Sequence, residues 1–295
     1  MRFRHASLLL AGLSLFLVGC GDQTATESAT ADASRSKASE AAATSDETGL
    51  PDLGGREITI AVENAYLPFN YILADTGESS GWDYDAWTAI CDLLNCTPVF
   101  VEAAWETIIE KVSSGQSDTA GNGISVTEER RDIVDFSMPY IHIVQYLLVR
   151  VGEDRFANVE QFQADDALMI GAQPGTTNYD AAVKLVGEGR TLPYAQFSSA
   201  VQALLSGVVD AVVMDQIAGQ GYMGPEADEL RFVDEVLNRD SLAFVFRKGS
   251  DLREPVNQSL AMLASDGTLA ALADKYFSEE FNVTYDEIDF PEYQE

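Results

Sequence analysis

The sequence predicts an α/β protein of two similar lobes facing a shared cleft, and three observations carry that prediction. Short apolar runs such as Ile58–Val62, Leu168–Ala172 and Ala211–Asp215 alternate with segments of helical spacing, the order expected of strands covered by helices. One pattern occurs twice. Val112-Ser113-Ser114-Gly115-Gln116-Ser117-Asp118 and Leu204-Leu205-Ser206-Gly207-Val208-Val209-Asp210 both read as a helix end, Ser-Gly, two residues, Asp and then a strand, with strand ends at Gly123 and Asp215. Finally, about 240 residues follow Gly54, enough for one large or two medium domains.

The chain opens on Arg2 and Arg4, an apolar run from Ser7 to Val18, then Gly19 and Cys20. A basic start, an apolar stretch too short to span a bilayer and small residues at its end make residues 1–20 a secretion signal. Its closing Leu-Val-Gly-Cys resembles the lipobox of bacterial lipoproteins, which implies that Cys20 becomes the acylated first residue of the mature chain. An ordinary signal with a chance cysteine is the alternative. Residues 21–53 are mostly Ser, Thr, Ala and acid, with too little apolar surface to fold, and are expected to be a flexible tether.

Ile58–Val62 is a buried-strand run after the charged Arg56 and Glu57. The residues from Glu63 to Phe69 leave it as a loop. Pro68 stops further strand pairing, which sets this loop at a strand's carboxyl end, where α/β sheets hold ligands. Thr76–Gly81 is a turn, and Asp85–Leu94 has helical spacing with Ala86, Ile90 and Leu93 or Leu94 on one face. Val99–Val101 is the next strand, and Trp105 opens a helix running to Val112. Ile143–Val149 is a long apolar strand. Leu168–Ala172 opens into Gln173-Pro174-Gly175-Thr176-Thr177-Asn178 ahead of a helix over Tyr179–Val186. Such a turn forms a backbone nest for anions, although Gly-Thr turns are ordinary. Ala211–Asp215 and Ser241–Phe246 are further strands, and Asp266-Gly267-Thr268 starts a last helix ending near Tyr276 and Phe277.

The most informative stretch is Gly121–Tyr140. Gly121 and Gly123 lack a Cβ and leave the backbone open to close approach, Ser125 and Thr127 add hydroxyls, and Arg130 follows at a helix start. Free N–H groups beside a guanidinium suit a planar carboxylate, which accepts two parallel hydrogen bonds. Glu128, Glu129, Arg130 and Arg131 also fit a plain solvated helix face.

A net charge of −30 argues against nucleic acid as a partner, because phosphates would be repelled. Cys20 aside, Cys91 and Cys96 remain; five apart in an exported chain, they suggest a local disulfide, with two buried thiols as the alternative. No metal site is expected, since there is no third sulfur and His142 is the one histidine beyond the signal.

From about Arg56 to Phe277 the chain resembles the amino-acid-binding family of periplasmic solute receptors for ABC importers. The residues that carry the resemblance are Ala65-Tyr66-Leu67-Pro68-Phe69, Gly81-Trp82-Asp83-Tyr84-Asp85, Thr127 to Arg130, Asp135-Phe136-Ser137 with Pro139-Tyr140, Gly175-Thr176-Thr177, both Ser-Gly-x-x-Asp copies and Asp266-Gly267-Thr268. The resemblance implies a two-lobed periplasmic-binding-protein-like fold of type II, two α/β lobes joined by two crossover strands. Residues 54–148 plus 243–280 would form the first lobe and 149–242 the second, with a hinge near Arg150 and Leu242. Residues 281–295 would be an acidic C-terminal tail.

It also implies roles. Arg130, with the N–H groups of Ser125 and Thr177, would hold a ligand carboxylate; Asp215, with the Gly123 carbonyl and the Ser125 hydroxyl, would hold its ammonium. Glu63, Tyr66, Trp105 and Gln173 would read the side chain, with Tyr66 and Trp105 sandwiching it. An acid between aromatic faces suits a cationic side chain, so arginine or lysine is expected, and a neutral amino acid such as glutamine is the alternative. Three departures from the family pattern stand out. Trp82 replaces a usual Phe, Cys91 and Cys96 lie closer than the cysteine pair of some basic-amino-acid receptors, and Asn178 occupies a variable place near the ligand. The expectation is a monomeric, exported, lipid-anchored receptor without cofactor or catalysis, serving an ABC permease. A dehydratase-like enzyme on the same fold, with Glu63 as the acid, is one rival; the input half of a sensor is another.

Overall fold

The computed structural model describes residues 49–223, 229–278 and 280–291. The expected signal with Cys20, most of the tether and the last residues of the tail lie outside the described residues. Within them, no helix is long and apolar enough to cross a membrane.

The first part of the chain runs β1 (Arg56–Val62), β2 (Ala65–Tyr66), β3 (Asn70–Leu73), β4 (Ser79–Ser80), α1 (Trp82–Leu94), β5 (Cys96–Glu102), α2 (Trp105–Ser113), β6 (Thr119–Ala120), α3 (Glu128–Ile133) and β7 (Val134–Phe136). Then come β8 (Ile141–Arg150), α4 (Val159–Ala164), β9 (Ile170–Ala172), α5 (Thr177–Val186), β10 (Thr191–Pro193), α6 (Phe197–Leu205), β11 (Ala211–Asp215), α7 (Gln216–Met223), β12 (Leu230–Phe232) and β13 (Asn238–Leu242). The chain closes with β14 (Val245–Arg247), α8 (Arg253–Ser265), α9 (Thr268–Phe277) and β15 (Ile288–Asp289).

Three sheets follow from this order, a small one of β15-β3-β2 with β4 on β3 and two larger ones. Of the larger two, one has the strand order β5-β1-β6-β14-β7; the other runs β10-β9-β11-β8-β12, with β13 also on β8. Each contains a parallel run that starts at one edge, β5-β1-β6 in the first and β10-β9-β11 in the second. An inner parallel strand buries both faces, so its sequence is mostly apolar and its two-residue period feeds two cores. In β1, Ile58, Ile60 and Val62 enter one core and Ala61 another. In β11, Val212 and Met214 enter the first core while Ala211 and Val213 enter a third.

The repeated Ser-Gly-x-x-Asp pattern has one structural meaning in both places. Gly115 and Gly207 take φ of 78° and 77°, the left-handed turn that ends α2 and α6 and that glycine adopts without steric cost. The aspartate that follows then locks its own strand to its neighbour. Asp118 accepts the Thr59 N–H at 2.9 Å and Asp210 accepts the Met169 N–H at 2.9 Å.

Several elements depart from the sequence reading. Helix α1 starts at Trp82 rather than Asp85, because the N–H groups of Trp82 and Asp83 bond the carbonyls of Pro68 and Phe69 and two acids stand in its first turn. Ser241–Phe246 is not one strand. It breaks at Ala243 and Phe244, with β13 pairing in the second sheet and β14 in the first. An unbroken apolar run gives no sign of where it changes sheets. The earlier crossing lies between β7 and β8, and the expected change of lobe after residue 148 falls inside β8, which pairs with β11, β12 and β13. Part of the expected acidic tail is folded: β15 pairs with β3, and Tyr285 and Ile288 are buried. Apolar residues spaced among the acids, Phe281, Val283, Tyr285, Ile288 and Phe290, were hidden by the segment's overall composition. Cys91 and Cys96 are joined as a disulfide, with Cα atoms 4.5 Å apart.

Candidate functional site

The carboxyl ends of β1 and β6 in one sheet face those of β9 and β11 in the other, and the residues that follow them line one cleft. Strand ends present side chains and free backbone groups to a crevice, which is where open α/β sheets bind ligands. Glu63 follows β1 and Gln173 follows β9; Asp215 ends β11, and Gly123 and Ser125 lie beyond β6. All the residues expected to touch a ligand line this cleft.

Glu63 is buried. Its backbone N–H donates to Asn122 Oδ1 at 2.9 Å, and its Oε1 accepts from Gln173 Nε2, across the cleft, at 3.0 Å. Burial pushes its carboxyl up to about 7, against the hydrogen bonds of Gln173 and Asn122, which lower it. Asn70 fastens this loop: its Oδ1 accepts the Asn64 N–H at 2.7 Å while its Nδ2 donates to the buried Asp83 at 2.9 Å.

Tyr66 lies between Phe69 and Phe197, with ring centroids 5.0 and 5.6 Å away, and its hydroxyl is hydrogen-bonded to Asp215 of the other lobe. A Cβ on Gly123 (φ 57°) would fall 2.6 Å from the Tyr66 ring, so only glycine lets this backbone pass so close. Asp215 also accepts from Asn178 Nδ2 at 3.3 Å. Burial pushes its carboxyl up to about 6, the donors Tyr66, Asn178 and Gln145 pull the other way, and the nearby charge of Asp240 adds to the rise.

Arg130 sits on α3, where the Thr127 hydroxyl caps the helix by accepting the Arg130 N–H. Its guanidinium donates to the Ser125 carbonyl and, across the cleft, to the Gly175 carbonyl, each at 2.8 Å, and lies 5.3 Å from the Trp105 ring centroid. Burial lowers its pKa, but a guanidinium stays charged. Thr176 caps α5 by accepting the Tyr179 N–H, which leaves the Thr177 end of that helix facing the cleft. The opposing groups lie so near one another that about 20 Å³ stays free among them, room for one water.

Residues 58–279 match the family model for bacterial extracellular solute-binding proteins, family 3. The chain belongs to that family. Proteins of family 3 are extracytoplasmic, bind amino acids and deliver them to ABC transporter permeases. This family 3 protein is similar to the L-cystine-binding protein TcyA of Bacillus subtilis, at 28% identity over 76% of this chain and 82% of that one. Its fold is similar to that of ArtJ, the arginine-, lysine-, histidine-binding protein of Geobacillus stearothermophilus, with TM-score 0.70 and 26% identity over 75% of this chain and 95% of that one. It is similar as well to AncCDT-1, an ancestral amino acid-binding protein and precursor of cyclohexadienyl dehydratase, with TM-score 0.70 and 28% identity over 75% and 96% of the two chains. These relatives are binding proteins.

The family 3 cleft also contains residues that the sequence did not single out. Asn122 was legible, lying between the two glycines already read as a site of close approach. Phe197 was not, because only the folding of the second lobe turns the start of α6 toward Tyr66. Asp240 of β13, outside the cleft lining but bonded to two of its residues, was missed too. It accepts from Ser125 Oγ at 2.8 Å, from Thr177 Oγ1 and from Gln145 Nε2 at 3.2 Å. The Ser125 hydroxyl, expected to face a ligand ammonium, donates to this carboxylate. Among the described residues, no group of three His, Cys, Asp or Glu is placed to hold a metal.

Proposed function

We propose that the protein is a lipid-anchored extracytoplasmic receptor that captures one free α-amino acid, arginine or lysine by preference, and hands it to an ABC permease. The observation that carries this reading is the pair of half-buried Arg130 and buried Asp215, groups of opposite charge that reach the cleft from different lobes. A zwitterion taken out of water needs both charges met, or burial costs several kcal/mol per ion. Arg130 with the Ser125 and Thr177 N–H groups would take the carboxylate; Asp215, the Gly123 carbonyl and the Ser125 hydroxyl would take the ammonium. With only about 20 Å³ free between these groups, an amino acid enters with the lobes apart, and closure replaces the direct interlobe bonds with bonds through the ligand. Cys20 would carry the lipid, and the receptor would be a monomer.

Glu63, beside Tyr66, Trp105 and Gln173, supports the cationic preference. A guanidinium or ammonium would favour its ionised form and draw its pKa down from about 7. The same raised value supports a second reading: a protonated Glu63 can donate to a neutral side chain, or act as the proton donor of a dehydratase-like enzyme. Calorimetric titration of refolded protein with single amino acids separates the three. L-arginine or L-lysine binding while neutral amino acids stay silent is the expected result. Arg130→Ala should lose all amino-acid binding, by about a hundredfold or more. Glu63→Gln should weaken L-arginine far more than L-glutamine. Turnover of a prephenate-like acid by a protein that binds no amino acid would replace the receptor by the enzyme.

A further inference from the structure

The family match ends at residue 279, yet residues 280–291 go on to fold against both lobes. Strand β15 pairs with β3 of the first lobe. Just before it, the Tyr285 ring stacks on Tyr222 of α7 in the second lobe, with centroids 3.4 Å apart and planes at 5°. Beyond it, the Pro291 carbonyl accepts from Gln196 Nε2, which precedes α6, at 3.4 Å. The Tyr285 hydroxyl accepts the backbone N–H of Leu67 at 3.2 Å. Leu67 follows Tyr66 in the loop that also carries Glu63. Leu67, Tyr71, Tyr285 and Ile288 form a separate apolar cluster against which Tyr222 packs. The loop, the C-terminal segment and α7 meet at one point, since a Cβ on Gly221 would lie 3.5 Å from both Leu67 and Tyr285.

Resting on the receptor reading above, we infer that Tyr285 is a positioning residue: with Tyr222 it forms a clasp that holds the lobes closed and braces the Glu63–Tyr66 loop from behind. Parting the lobes separates Tyr222 from Tyr285 and exposes two apolar ring faces, while the bond from Leu67 to Tyr285 stays within the first lobe. The stack therefore favours the closed form alone, and its effect belongs in the rate of ligand release.

The test uses the full-length exported protein, with L-arginine association and dissociation followed by stopped flow. Tyr285→Ala is expected to raise the dissociation rate about tenfold and to change association by less than about threefold. Tyr222→Ala, made in the other lobe, should do the same, and the double variant should be no faster than the faster single, because both remove one contact. Tyr285→Phe keeps the stack and should stay within about threefold of wild type. A purely structural role for Tyr285 in its own lobe would give effects that add in full to those of Tyr222→Ala, and that result overturns the clasp; so do unchanged dissociation rates in both single variants. If Tyr285→Ala does not fold, Tyr222→Ala alone decides. If wild type does not bind L-arginine, the ligand preference fails separately. The clasp is then decided by the distance between spin labels at Glu110→Cys and Lys184→Cys, without any amino acid. Both alanine variants should shift it to longer values, and an unchanged distance removes the proposal.

Discussion

At Glu63, burial opposes ionisation while the carboxamides of Gln173 and Asn122 favour it, and the balance leaves the carboxyl at about 7. A cationic side chain binds the ionised form, so below that value the protein must release a proton to bind. The dissociation constant for L-arginine should rise as pH falls through 7, by up to about tenfold per unit, until it reaches the lower pKa of the liganded carboxyl. Glu63→Gln should remove the part of the slope centred near 7. Titrations from about pH 8 down to about pH 5.5 check this, and an equal slope in wild type and Glu63→Gln would assign the proton elsewhere, with Asp215 at about 6 the next candidate. The chemical kind of these residues was readable in the sequence. Their pKa values were not, because they depend on burial and on partners from the other lobe.

At the scale of elements, the two Ser-Gly-x-x-Asp turns show how a short pattern fixes a strand. Asp118 accepts both the N–H and the hydroxyl of Thr59, and Asp210 accepts the Met169 N–H. Each carboxylate satisfies a backbone donor of a neighbouring strand, within β1 at Thr59 and just before β9 at Met169. Asp118→Ala should therefore cost about 1–3 kcal/mol of stability by leaving that donor without its partner. Urea unfolding measures the loss, and L-arginine affinity at the same pH should stay within about threefold. A loss of affinity without a loss of stability would mean that the turn serves the cleft directly. The pattern was legible because it is local: a left-handed glycine and a carboxylate within four residues. The break in Ser241–Phe246 was not, since its position depends on which sheet each half meets.

Across the whole molecule, 48 acidic residues against 18 basic ones make a chain that repels itself. That repulsion destabilises the compact form and is screened by salt over about 10 Å at 0.1 M. The urea midpoint should rise between about 0.05 M and about 1 M sodium chloride, and a midpoint that stays level or falls would mean that paired charges dominate. Two crossings, before β8 and between β13 and β14, join the two larger sheets, and in the proposed receptor they are where the lobes would hinge. The cleft and the C-terminal clasp then become opposite sides of one motion.

The sequence by itself determined the α/β class, the two similar lobes and the strand ends that meet the cleft, while Arg130, Asp215 and Glu63 were singled out through the family resemblance. Local chemistry is enough for the first three, because apolar period and turn residues are properties of neighbours along the chain. Only the tertiary structure decided that Phe197 and Asp240 join the site, that Tyr66 meets Asp215 and that Tyr285 meets Tyr222. Those contacts link residues 63 to 149 positions apart, and Leu67 and Tyr285 are 218 apart; nothing in the spacing of a chain specifies a meeting that depends on how two lobes close.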